Sequence, residues 1–366
     1  MPWFRKVEVI VTRKDDPSKK TIFTKHRIDF EVRSTVGWPA DTATITLFNL
    51  SLEEVKFLQN KNYGDLYIEI RAGYVEDSRA GSSGGIQQYI NTNMQHGTPR
   101  IEISGSLPTI FSGLITNAVG YRRPPEHVTQ LFCISKAYGA STDFKQMTSI
   151  PPKTKLVDAI RQMCNEYGFN TISLFGVPDS TLEQVLPRGR VFHDVFLTEF
   201  KNLLGEYNLL YTMTTGEIQI FPDSFGDKDA VDRMSKDREP IKLDANAVIG
   251  NPVAGICAYN LNTFLNPSIQ PGMILDVSPL LGEELLANGV TSVSGDGIVL
   301  NTDQSVFRWA MEDKYFIMDV VHHGSTHTID FQTSVVALIG GNTAMGGREA
   351  AWQNIYANSG MAMESF

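Results

Sequence analysis

Apolar and polar residues alternate without a break in TATITLF (42–48): Ala43, Ile45 and Leu47 share one face, Thr42, Thr44 and Thr46 the other. A period of two is the mark of a strand with one face buried and one wet, and it denies the segment to a helix. DLYIEIRAGY (65–74) repeats the pattern with Leu66, Ile68 and Ile70. Between the two, SLEEVKFLQN changes period. Ser51 followed by Glu54 makes a capping box, and Leu52, Val55 and Leu58 make one helical stripe. LPTIFSGLITNAVGYRR (107–123) and VTQLFCIS (128–135) read as further strands, so residues 1–150 are expected to be β-rich. The Gly/Ser/Asn-rich stretch 79–100 interrupts them as a long inserted loop.

The period changes after residue 150. PPKTKLVDAIRQMCNEYGF (151–169) predicts a helix with Thr154 as N-cap and Gly168 as its stop, and with Leu156, Val157, Ile160, Met163, Cys164 and Tyr167 on one face. FHDVFLTEFKNLLGEY predicts a second, carried by Phe192, Phe196, Phe200, Leu203, Leu204 and Tyr207. A hairpin turning near 214–216 completes a small α/β module over 151–225. The charge-rich 226–240 reads as an exposed linker. From 241 to 340 the strands return: VAGICAYNLNTFL, GMILDVSP, YFIMDVVHH and THTIDFQTSVVAL. The stretch 280–314 is too long for a turn, and Ile298–Leu300 and Phe307–Trp309 suggest structure of its own.

With 366 residues and 42% apolar content, the chain is large enough for two or three buried cores. Its net charge of −9 and lack of a long basic run disfavour a grip on nucleic-acid phosphates. Cys133, Cys164 and Cys257 are scattered in apolar contexts, which suggests buried thiols rather than a disulfide framework or a zinc knuckle. No apolar run is long enough to span a bilayer, and the start of the chain does not read as a signal peptide. Folding in a reducing cytoplasm is the expectation.

VHHGSTHTID concentrates His322, His323 and His327 in six positions, with Asp330 close behind. On a strand His322 and His323 face opposite ways and cannot share one ion. A remaining histidine pair without a second ligand type is a thin metal site. The segment therefore reads as a hairpin with polar outer faces and its turn at Gly324–Ser325, and replacing all three histidines is expected to leave assembly largely intact and cost at most about 1 kcal/mol. HExxH, Walker and dinucleotide-binding patterns are missing, and the acid pairs Glu53–Glu54 and Glu283–Glu284 read as solvated faces. No residue is nominated as catalytic, cofactor-binding or metal-binding, and no cofactor is implied.

Taken in order, several segments resemble the tailed-phage (contractile-tail type) baseplate hub proteins. RIDFEVRSTVGWPADTATITLFNLSLEEVKFL resembles the opening of that family. IFSGLITNAVGYR, IPPKTKLVDAI, IGNPVAGICAYNLNTFLNPSIQPGMILDV and YFIMDVVHHGSTHTIDFQTSVVAL are similar to its later hallmarks. The similarity is spread over about residues 20–340, and the stretches 79–100 and 280–314 depart from it. The resemblance implies a mainly β fold in which two β-barrel tube domains, 1–150 and 241–340, flank the helical and hairpin module. It further implies a homotrimer whose ring meets a hexameric tail tube protein and a trimeric central spike, alongside other baseplate proteins. DNA would pass through the lumen without specific binding, since three copies would carry three times −9. Such a protein belongs to the virion and assembles in the host cytoplasm.

Two other classes stay open: a cell-wall hydrolase or peptidase of the tail tip using His322, His323 or His327 with Asp330, and a carbohydrate- or receptor-binding β-module displaying Trp38 or Trp309. The tail from 341 is Gly-bracketed, and REAAWQNIYA within it predicts a short helix. Trp352, Ile355, Tyr356, Met361, Met363 and Phe366 are its candidates for docking on a partner, because a helix this short is stable only when packed.

Overall fold

The computed structural model describes residues 3–16, 18, 20–37, 40–59, 65–76, 88–95, 98–104, 107–135, 148–166, 169, 171–214, 217–223, 228–243, 245–254, 258–277, 291–294, 297–300 and 314–339. The chain is mainly β. Its first part holds β1 (Trp3–Arg13), β2 (Lys20–Phe23), β3 (Ile28–Thr35), β4 (Thr42–Phe48), α1 (Leu52–Leu58), β5 (Leu66–Glu76), β6 (Gln88–Gln95), β7 (Thr98–Ser104), β8 (Thr109–Arg123) and β9 (Glu126–Ser135). A mixed region follows with β10 (Thr148–Ile150), α2 (Leu156–Glu166), β11 (Thr171–Leu174), α3 (Asp179–Leu182), β12 (Arg190–Phe192), α4 (Phe196–Glu206), β13 (Leu209–Thr214), β14 (Glu217–Pro222) and α5 (Lys228–Asp237). The last part holds β15 (Ile241–Lys242), β16 (Val248–Ala254), β17 (Ala258–Phe264), β18 (Ile274–Asp276), β19 (Thr291–Ser294), β20 (Gly297–Leu300), β21 (Lys314–Ser325) and β22 (Phe331–Ile339).

Among the described residues one sheet runs in the order β16-β17-β22-β21-β3-β4-β9-β8-β5-β1-β2, so strands from both ends of the chain lie in one hydrogen-bonded array. The alternation read from 42–48 and 65–74 aims Ala43, Ile45, Leu47, Leu66, Ile68 and Ile70 into one core. Val7, Val9 and Val11 of β1, Phe23 of β2 and Ile28 of β3 join them. The strands at both ends of the path β3 to β2 thus curl around the same interior. Leu265 and Phe331, from the last third of the chain, also lie in it. A separate core holds Tyr259, Leu261, Leu275, Tyr315, Ile317, Val320 and Val335.

The capping box forms as expected: the Ser51 hydroxyl accepts from Glu54 N–H, and Glu54 accepts from Ser51 N–H at 2.8 Å. The stripe on α1 is narrower than its spacing suggested, since Leu58 is buried while Leu52 is 69% exposed. In the mixed region α2 and α4 cover the β11-β14-β13 sheet with Leu156, Ile160, Met163, Phe196, Phe200 and Leu203. Thr154 is not the N-cap of α2. Its hydroxyl donates to Pro151 O at 2.8 Å, while Lys155 O accepts from Ala159 N–H. Gly168 lies outside the described residues.

The described part of the stretch 226–240, from residue 228, is no exposed linker. Residues 228–237 form α5, whose Ala230, Val231 and Met234 are buried against Phe221, Ile274 and Phe316. Asp237 accepts from Gly176 N–H at 2.7 Å and Arg233 donates to Gly176 O, fixing the helix to the loop after β11. Three apolar positions among so many charges were too narrow a stripe to read, but they suffice for one side of a ten-residue helix.

Gly272 closes this joint from the other side. Its φ is +83°, and a Cβ there would stand 2.2 Å from Phe221 Cζ, a ring with no exposure. Gly272→Ala combines left-handed backbone strain with a clash against a fixed ring. We expect a loss of about 2–4 kcal/mol in urea unfolding. A loss below about 0.5 kcal/mol would show that the loop rearranges freely.

Candidate assembly interface

The same strand order occurs twice. In chain order, β1, β3, β4, β5, β8 and β9 take the sheet positions β3-β4-β9-β8-β5-β1. β15, β16, β17, β18, β21 and β22 take β16-β17-β22-β21-β18-β15, which is the same permutation. Each set carries its inserted hairpin, β6–β7 or β19–β20, between its fourth and fifth strands. Each fifth strand carries a bulge against the sixth, at Ile115/Asn117 in one and Ile317/Asp319 in the other. Matching the registers superposes Ile45 on Leu261, Leu131 on Val335 and Ile115 on Ile317, all buried. One departure is plain: β1 pairs β5 antiparallel, whereas β15 is two residues long and pairs β18 parallel.

The two sets meet where β21 leaves its bulge. Up to Phe316 its open side pairs β18; from Asp319 to Ser325 it pairs β3 instead. The carboxylate of Asp319, buried at the start of this seam, takes the Arg33 guanidinium in a two-pronged bond of 3.2 and 3.1 Å and also accepts from Thr35. At the far end the Ser325 hydroxyl donates to Asp29 at 2.6 Å. Thr326 N–H donates to Ile28 O, and Ile28 N–H to the Thr326 hydroxyl, both at 3.0 Å.

Phe331 then crosses into the first core. Its ring meets Phe30 and Tyr74 edge-on at 5.9 and 5.3 Å, with the Arg5 guanidinium 5.7 Å away. The Tyr74 hydroxyl donates to Phe331 O and accepts from Leu265 N–H. Gly324 leaves room for this packing, since a Cβ there would lie 2.6 Å from Phe331 and 2.9 Å from Phe30.

The histidines belong to this seam. His322 and His323 do face opposite ways, but the face of His322 is buried, not polar and wet. Its Nδ1 lies 2.9 Å from the Thr333 hydroxyl, which itself accepts from Asn266 N–H. A hydrogen bond with the Ile269 backbone favours the protonated ring but does not offset burial. Burial, and then the neighbouring His323, push the pKa of His322 down to about 4. The expected cost of about 1 kcal/mol for losing the three histidines does not hold for a residue placed this deeply.

The turn also lies later than Gly324–Ser325. Those two end β21, and the apex is formed by 326–330, where His327 and Asp330 are exposed and Ile329 is 88% exposed. The structure thus separates His322 from His327 and leaves the His327–Asp330 pair without an enclosing site. Among the described residues no group of three or more His, Cys, Asp or Glu is placed to hold a metal. No described helix is long and apolar enough to cross a membrane.

Cys133 and Cys164 are buried free thiols, their pKa values pushed up by burial, that of Cys164 to about 12. Cys257, Trp38, Trp309, the acids Glu283 and Glu284, and the tail candidates Trp352, Ile355, Tyr356, Met361, Met363 and Phe366 lie outside the described residues. The seam residues Arg33, Asp319 and Phe331 were not singled out in the sequence. A lone buried-strand aspartate in YFIMDVV was the available signal.

No protein-family model and no curated protein sequence matches the chain. Among solved structures, its neighbours are phage tail and type VI secretion proteins. The tail protein of Neisseria meningitidis MC58 is 8% identical, with a TM-score of 0.47 over 91% of this chain and 96% of that one. The E. coli c3393 protein, a type VI secretion component described as similar to the T4 bacteriophage tail proteins gp27 and gp5, is 11% identical, with a TM-score of 0.45 over 87% of this chain and 75% of that one. A chain of the Francisella PdpA–VgrG complex is 10% identical at a TM-score of 0.48; the match covers 92% of this chain but 58% of that one. At these values each is a likeness in the course of the chain and assigns no residue a role.

Proposed function

We propose that the chain is the structural hub of a phage-tail baseplate or of a related contractile injection machine. Three copies form a ring, a hexameric tail tube sits on one face and a trimeric spike on the other, and DNA crosses an acidic lumen during ejection. The observation that carries this reading is the repeated strand order. A chain that holds two similar units side by side in one sheet gives three copies six similar units, which is what a threefold part needs to meet a sixfold one. The ordered sequence resemblance over about residues 20–340 supports the same reading. An acidic protein of net charge −9 lowers adhesion of the DNA backbone. The tail with Trp352, Ile355, Tyr356, Met361, Met363 and Phe366 is assigned to docking on another baseplate protein.

Native mass spectrometry at micromolar concentration tests it, with electron microscopy of the same sample. A threefold ring is expected. A monomer at every concentration reached, or a twofold particle, overturns the reading. A chain lacking 342–366 is expected to form the same ring and to fail only in joining a complete tail.

A further inference from the structure

The seam inside one chain has an unused counterpart on its surface. β21 and β8 are equivalent strands, and β3 and β16 are equivalent strands. Within the chain, β21 beyond its bulge pairs β3. Among the described residues, β8 beyond its bulge (117–123) pairs β9 on one side and no strand on the other, because β5 leaves it at Leu114. β16 is the first strand of the sheet path and, among the described residues, pairs β17 alone, with the β19–β20 hairpin beside it but not bonded to it. One chain therefore displays both halves of a seam it has already made once.

Exposure follows the missing neighbour. Val321 and His323 of β21 are half-buried, whereas their equivalents in β8, Val119 and Tyr121, are 41% and 46% exposed. The connection after β4 packs on β8 as the one after β17 packs on β21: a Cβ at Gly120 would meet Gln59 at 3.0 Å, and its equivalent His322 bonds the Ile269 backbone. The other face of β8 is the one left bare. An open edge carrying apolar side chains is a template for another strand.

We infer that residues 117–123 of β8 pair antiparallel with β16 of a second copy of this chain, repeating between copies the β21–β3 seam. This inference rests on the hub reading and names the surface that closes its ring. The contact is head-to-tail, β8 of one copy to β16 of the next, so it closes into a ring without a twofold axis. Its register follows from the internal one. Ser325 stands opposite Asp29, and the matched positions are Arg123 and Ile249. Because Ser325 and Asp29 touch through their side chains, the two equivalents point to the same side of the sheet.

Disulfide trapping tests the register. Arg123→Cys and Ile249→Cys are combined in a Cys257→Ser background, with the buried Cys133 and Cys164 left in place. Directly opposed strand residues come within disulfide reach. Mild oxidation is expected to give covalent dimers and trimers on a denaturing gel. Each single variant, and the out-of-register pair Arg123→Cys with Val253→Cys, should give none or far less. A protein that is a ring by native mass but does not crosslink overturns this interface and leaves the hub reading standing. A monomer that does not crosslink overturns both. As a second arm, Val119→Glu with Tyr121→Glu, at two exposed positions, should leave a folded monomer by circular dichroism. An unchanged ring in that variant would count against the interface.

Discussion

Phe331→Ala will lower the stability of the chain by about 3–5 kcal/mol, the range for emptying a buried aromatic site. Phe331 begins β22 but is 2% exposed inside the core built by β1 to β9. It loses two edge-on ring contacts, with Phe30 and Tyr74, each worth about 0.5–1.5 kcal/mol beyond area burial, and the guanidinium of Arg5 loses its ring. The cavity is slow to collapse because its walls are strands already fixed by ladders on both sides: β3 between β4 and β21, and β5 between β1 and β8. The backbone bonds from Tyr74 to Phe331 O and from Leu265 to Tyr74 survive the substitution, so the loss reports packing. Urea unfolding should show a lower midpoint at unchanged slope. A change under about 1 kcal/mol would mean that the last hairpin does not seal the first core.

The second large effect is with pH, and it has two limbs of opposite sign. His322 takes a proton at about 6.5 in the unfolded chain and at about 4 in the fold. Between those values the unfolded state binds more protons, so stability falls as pH drops from 6.5 to 4 and levels off below. The full effect is about 3 kcal/mol. Asp41 behaves in reverse. Burial outweighs its hydrogen bond from Ser34 and raises its pKa from 3.8 to about 7. Its neutral form favours folding fully below 3.8, and the benefit is lost as pH rises through 7, about 4 kcal/mol in all.

The two slopes have opposite sign over nearly the same interval, so they largely cancel between about 4 and 6.5 and leave the stability of the unaltered chain almost flat there. Asp41→Asn should unmask a stability that rises from pH 4 to 6.5, and His322→Asn one that falls as pH rises from 4 to 7. The reading is the change in slope, whatever each variant does to absolute stability. Denaturation midpoints from pH 4 to 8.5 decide the matter. A profile as flat in Asp41→Asn as in the unaltered chain would show that Asp41 is not the group that opposes His322.

Local patterns were legible in the amino-acid sequence because their causes are local. Ala43, Ile45 and Leu47 must share a face of any extended chain, and Ser51 and Glu54 reach each other within one helical turn. The apolar stripes of α2 and α4 likewise settle which side of each helix is buried. The partner of β21 could not be read this way. Its C-terminal half pairs β3 at a separation of nearly three hundred residues, and any strand with a half-buried face satisfies the same alternation. The repeated strand order was equally hidden. What the two halves share is burial at matched positions, Ile45 with Leu261 or Leu131 with Val335, and identity at those sites is not required for packing. His322 shows the limit most directly. Strand geometry put it on the face opposite His323, but only the arrival of Thr333 from β22 and of Asn266 and Ile269 from the turn after β17 made its side the dry one, because burial belongs to the assembled sheet and not to the strand.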